Sequence, residues 1–182
     1  MKLKGKEIYV MTKLISIVVG IPVILLTFVV YMYFTPHLAF NKLKDSTRSG
    51  DIETVKELID TPVLKENIKS QLQVEIMKKM DDLKDNPFAP LALVVAQKTI
   101  DAMVDVYISP EYWVGMWKNT NQNSKEFKEA DKNTDISYGY KSFSKFIVTV
   151  KDKNNENRKT DIVLTRYSLF SWKVTNVIIP TN

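Results

Sequence analysis

No cysteine occurs in this 182-residue chain, histidine occurs once, at His37, and glycine only five times, at positions 5, 20, 50, 115 and 139. Without thiols the chain has no disulfide scaffold, thiol catalysis or cysteine metal site, although oxidising compartments also hold proteins that lack cysteine. Five scattered glycines cannot assemble a Gly-rich phosphate loop or a dinucleotide fingerprint, so nucleotide hydrolysis is not expected. His37 stands beside Pro36 with nothing nearby to complete a catalytic or ligating constellation, so a structural, interfacial role is expected for it. These absences lead to an expectation of no catalytic residues, no metal site, no cofactor and a non-enzymatic protein.

What the sequence does have is a run of twenty-one residues without a charge, LISIVVGIPVILLTFVVYMYF, from Leu14 to Phe34. A hydrocarbon core about 30 Å thick needs about 20 apolar residues at a rise of about 1.5 Å each. The run reads as a single transmembrane helix. A cleaved secretory signal has a shorter apolar region, usually about 7–15 residues, ending at a small-x-small site, whereas TPHLAF follows here. Lys2, Lys4, Lys6 and Lys13 crowd the short N-terminal tail, opposed only by Glu7. The positive-inside rule then places residues 1–13 in the cytoplasm and everything after Phe34 outside.

Residues 35–182 suffice for one domain with its own core. Helical periodicity runs from about residue 38 to about 128 and alternation from about 136 to 180. LAFNKLKDSTRSG reads as a short helix with Gly50 as its stop, and Asp51 caps the next. Thr61 caps a helix that has Pro62 at its first position and Leu64, Ile68, Leu72, Ile76 and Met80 in one row. The stretch Leu91 to about Ile108, apolar almost all round, is expected to be the buried centre of the helical layer. Ser109 and Pro110 open a last helix, with Glu111 near the positive end of its dipole. In SYGYKSFSKFIVTV the positions Tyr138, Tyr140, Phe146, Val148 and Val150 share a face, with a bend or bulge at Ser142 and Ser144. Short turns to DIVLTRY and SWKVTNVII imply antiparallel pairing. The fold class is α+β: a helical layer packed on a C-terminal antiparallel meander of three to four strands.

Candidate sites are few. Tyr112, Trp113, Met116 and Trp117 gather on one helix face and serve either as core packing or as a ligand or partner surface, since indoles combine apolar area with a polar edge. Asp101 and Asp105, four apart, are the spacing of a carboxylate pair, but without histidine or a second carboxylate motif they read as a solvated stripe. Lys151, Lys153, Arg158 and Lys159 surround one hairpin, as edge-protecting cations or as a contact for an anionic surface. The strands carry no aromatic-rich RNA-binding signature, and nucleic acid is not an expected partner.

The anchor running into TPHLAFNKLKDSTRSGDIETVKELID, then DNPFAPLA, VDVYISPEYW and finally FIVTVKD with DIVLTRYSLFSWKVTNVIIP together resemble domain-of-unknown-function family 2939, small bacterial membrane-anchored proteins. The resemblance implies a single-pass protein of the bacterial cytoplasmic membrane with an extracytoplasmic α+β domain, and it brings no catalytic residues. The function expected is a non-enzymatic interaction or scaffold domain held in the envelope, with a protein partner or hydrophobic ligand. The alternative is a binding module for a lipid, peptide or sugar in a pocket between helices and sheet.

Overall fold

A computed structural model describes residues 3–81, 86–121 and 133–178 of the chain, with the side chains of 117–121 and 156–158 among those outside that description. The described elements are α1 (Leu3–Ser49), α2 (Ile52–Leu58), α3 (Thr61–Asp81), α4 (Ala89–Tyr107) and α5 (Pro110–Asn121), followed by β1 (Thr134–Ser142), β2 (Lys145–Asp152), β3 (Asn155–Arg166) and β4 (Trp172–Ile178). The strands form an antiparallel meander in the order β1-β2-β3-β4. The fold is α+β, with the helices preceding the sheet. The parts of the expected ranges at 122–128 and 179–180 lie outside the described residues.

The apolar run and the short helix expected after it are one helix. α1 is continuous for 47 residues and passes through Pro36. Proline lacks the N–H that would bond the carbonyl four residues back, which ordinarily kinks or ends a helix. Here that carbonyl belongs to Met32, and the Thr35 hydroxyl donates to it at 2.8 Å. Thr35 in turn accepts from the indole N–H of Trp172 at 2.8 Å, so the proline gap is filled by a side-chain relay from the sheet. Gly50 then ends α1 with φ of 81°, a left-handed backbone that glycine adopts without a Cβ penalty. The amides of Gly50 and Asp51 both close onto the Ser46 carbonyl.

Asp51 caps α2 through the Thr54 amide, and Ser109 caps α5 through the Tyr112 amide, as the sequence implies. The cap of α3 is Asp60 rather than Thr61. Its carboxylate accepts from the Val63 amide, because a carboxylate one residue earlier reaches the same orphan donors and leaves Thr61 inside the helix.

The residues 138–150 are not one strand with a bend. Phe143 and Ser144 form a two-residue turn between β1 and β2, with a register shift between Tyr140 and Ser142. The predicted face survives because directly opposed residues of an antiparallel pair point to the same side: Tyr138 opposes Val148 and Tyr140 opposes Phe146. That face packs against the half of α1 beyond Phe34. Phe146, Val148, Leu164, Trp172 and Val174 of the sheet are buried with Phe40 and Leu43 of α1, Val55 of α2, Leu64 and Ile68 of α3 and Val114 of α5. His37 is boxed by Tyr33, Phe34, Tyr138 and Phe146, with the last ring centroid at 4.6 Å.

α3 runs beside the exposed edge of β4. Ile59 bridges Val174, the Asp60 amide donates to the Val174 carbonyl, and Asn67 and Gln71 donate to the carbonyls of Thr175 and Val177. Three carbonyls of this edge strand are thereby occupied, which blunts it as a template for another strand.

α4 departs from expectation. Only Ile100 and Val104 on it are buried, while Leu91, Val94, Val95, Met103 and Val106 are about half exposed or more. It packs by one stripe against α3, and the helix is peripheral because α1, not α4, occupies the centre of the layer.

Candidate functional site

α1 contains one stretch long and apolar enough to cross a membrane, and little of it is covered by the rest of the fold. From Val18 to Phe34 its large apolar side chains are exposed except Met32, which is half-buried. A core helix of the same composition would be buried on most sides.

On α5, the four candidate residues are placed unequally. Trp113 is half-buried against the core and donates its indole N–H to the Tyr107 carbonyl at 2.8 Å. Tyr112 is half-buried with its ring edge-on to Tyr107 at 4.8 Å, and Met116 is exposed. The side chain of Trp117 lies outside the described residues. Glu111 pairs with Lys56 at 2.9 Å; hydrogen bonding to that lysine holds its carboxyl below the usual value and fixes α5 to α2.

Asp101 and Asp105 face lysines of α3, not each other's chemistry. Lys69 lies 3.0 Å from Asp101, and Lys65 lies 3.1 Å from Asp105, whose carboxyl is held low by the Lys65 hydrogen bond. Among the described residues no group of three or more His, Cys, Asp or Glu side chains is arranged to hold a metal ion.

The basic hairpin lies at the end of the sheet away from the apolar run. Lys151 and Lys153 are exposed there, Lys159 pairs with Asp161 at 3.1 Å, and the Arg158 side chain is outside the described residues. The opposite end of the sheet meets α1, and sequence reasoning passed over it. There the β1–β2 turn carries Phe143 and the β3–β4 loop carries Tyr167, Leu169 and Phe170, all exposed. The available signal was loop chemistry: turns are ordinarily built from Gly, Pro, Asn, Asp and Ser, and these carry large apolar side chains.

Two cavities border α3. One, about 480 Å³, lies between α3 and α4 and is lined by Val74, Met77, Lys78, Met80 and Leu93. The other, about 450 Å³, lies on the outer face of the sheet and includes Asn67, Lys141, Lys145, Thr165 and Tyr167. Neither is lined by Tyr112, Trp113 or Met116.

A family model described as "Protein of unknown function (DUF2939)" matches residues 25–114. Over that segment the chain resembles this family. The DUF2939-like segment is just under half of the chain and holds the outer part of the apolar run, α2, α3, α4 and the start of α5. The sheet and its two apolar loops lie outside it. No curated protein and no solved structure matches the chain.

Proposed function

We propose that this is a single-pass protein of the bacterial cytoplasmic membrane, with residues 1–13 inside, residues 14–34 crossing and residues 35–182 outside as a non-enzymatic interaction domain. The lysines of the N-terminal tail support the orientation. The observation that carries the interaction reading is α4, apolar on nearly every side yet packed by one stripe. Leu91, Val94, Val95 and Val106 lie on the side opposite Ile100 and remain exposed. Patches of this kind mark contact sites more often than solvated faces. α3 and α4 extend along β4 away from the apolar run, which suits capture of a protein partner beyond the membrane surface. The DUF2939 resemblance adds no activity to this reading, and the ion-paired Asp101 and Asp105 are assigned a structural role.

Photo-crosslinking in intact cells tests it, with a benzophenone amino acid at Val94 and another at exposed Lys151 as control. A discrete adduct from Val94, lost on introducing Leu91→Asp and Val95→Asp, is expected; indistinguishable labelling from both positions would reject α4 as the contact. Because the chain has no cysteine, Asn154→Cys gives a clean topology probe. An impermeant maleimide is expected to label it in intact spheroplasts, and labelling only after lysis would reverse the orientation.

The ligand-binding alternative is favoured by the 450 Å³ cavity beside α3, whose Lys141 and Lys145 suit an anionic headgroup. Native mass spectrometry of the protein from nanodiscs is expected to retain a bound phospholipid in that case, and loss of the adduct in a Lys141→Glu, Lys145→Glu variant would locate it.

A further inference from the structure

The end of the sheet nearest the apolar run carries exposed apolar side chains packed beside α1. Phe170 packs on α1 inside the run itself, with its ring 6.0 Å from Phe28 and 5.6 Å from Tyr31. At about 1.5 Å per residue, Phe28 lies about 9 Å along the helix from Phe34, the last residue of the charge-free run. A loop that touches α1 there reaches below the level of Phe34, into the acyl region wherever residues 14–34 cross a bilayer.

The neighbouring turn is held at the same level by Arg166. Its guanidinium donates to the carbonyls of Phe143 and Leu169, each at 3.0 Å, and stacks 4.3 Å from the rings of Phe143 and Trp172. It also approaches the Met32 sulfur of α1 at 4.0 Å. One cation therefore ties both loops to each other and to the helix, while Phe143, Leu169 and Phe170 stay 73, 55 and 49 % exposed. Leaving three large apolar side chains in water on a braced platform is unfavourable, and an acyl environment removes that cost in proportion to the apolar area it covers. Lys141 and Lys145 flank the turn on the outer face of the sheet, where lysine stems lie over apolar surface and their ammonium groups reach phosphates.

We infer that Phe143, Leu169 and Phe170 insert into the lipid leaflet beside the point where α1 leaves it, with Lys141 and Lys145 on the headgroup phosphates. The occupant is the bilayer, because the platform is continuous with the lipid-facing side of α1. The inference rests on the anchor reading above. It makes the domain lie on the membrane at a fixed attitude instead of standing off on a stalk.

The full-length chain in phosphatidylglycerol/phosphatidylcholine liposomes tests it. Four single-cysteine variants, Val29→Cys, Phe143→Cys, Leu169→Cys and Asn154→Cys, are labelled with the fluorophore NBD and quenched either by aqueous iodide or by lipids carrying a doxyl group near the headgroup. The expected result is severalfold stronger lipid quenching than iodide quenching at 29, 143 and 169, and the reverse at 154. Iodide quenching at 143 and 169 equal to that at 154, with position 29 still protected, overturns the inference and leaves the anchor standing. Iodide quenching at position 29 as well overturns both. Adding Lys141→Glu and Lys145→Glu is expected to raise iodide access at 143 in anionic liposomes; unchanged access removes the phosphate contacts from the proposal.

Discussion

At the scale of single residues, the junction between the apolar run and the domain depends on Thr35. Its hydroxyl is both the donor that replaces the missing Pro36 amide and the acceptor for a fully buried indole. Thr35→Val keeps the shape but leaves the Met32 carbonyl and the Trp172 N–H without partners. A loss of about 2–6 kcal/mol in denaturant unfolding is expected, since each of the two buried unsatisfied groups costs about 1–3 kcal/mol. Nothing in the sequence singled Thr35 out, because its two partners are three and 137 residues away. His37, by contrast, was legible as structural but not for its surroundings. Burial holds its imidazole below the ordinary value of 6.5, so the folded chain disfavours the imidazolium. The folded state is therefore fully stabilised above pH 6.5 and loses stability as the pH falls from there towards the depressed folded value. Melting temperature is expected to drop between pH 7 and pH 5, and His37→Gln is expected to flatten that slope; an unchanged slope would remove His37 as the cause.

At the scale of elements, periodicity read the helices well where one face alone is buried. The row Leu64, Ile68, Leu72 and Ile76 on α3 faces the core as its spacing implies. The same method misjudged α4, since a helix apolar all round carries no directional signal and burial depends on what else competes for the centre. That centre is held by α1, whose second half reads from local sequence as a separate short helix following the apolar run. The meander and its faces were legible from alternation; at Phe143 only a bend or bulge was read, because Ser142 and Ser144 mark an interruption but no Gly, Pro, Asn or Asp marks a full reversal. The edge of β4 is protected by side chains reaching from α3, again a relation between distant residues. Gln71→Ala removes the donors to the Val177 carbonyl and the Asn176 side chain. A loss of about 1 kcal/mol is expected for a bond of this kind, together with concentration-dependent self-association on sizing chromatography as the freed edge accepts a strand.

At the scale of the whole molecule, the apolar run and the sheet are not separable at residue 34. Tyr140 donates its hydroxyl to the Tyr33 carbonyl at 2.8 Å, and Phe170 rests on Phe28 and Tyr31. A fragment of residues 27–182 is therefore expected to melt several degrees above one of residues 35–182, although the added residues are apolar; equal melting by circular dichroism would show that those contacts contribute nothing. Both fragments leave out most of the run that would lie in lipid. Sequence reasoning found a helix long and apolar enough to cross a membrane, the α+β class and the order of layers from local pattern. It missed the braced loops because their meaning depends on which part of α1 they meet.

The unbroken helix from Leu3 to Ser49 has a rotational consequence. A flexible linker would absorb an inserted residue, but a continuous helix turns by about 100° for each one added. One extra residue before Phe28 would keep the hydrophobic length adequate, yet turn the whole domain by about that angle relative to residues 3–27. Angular phase, more than length, is then what an insertion between Leu14 and Phe28 would change.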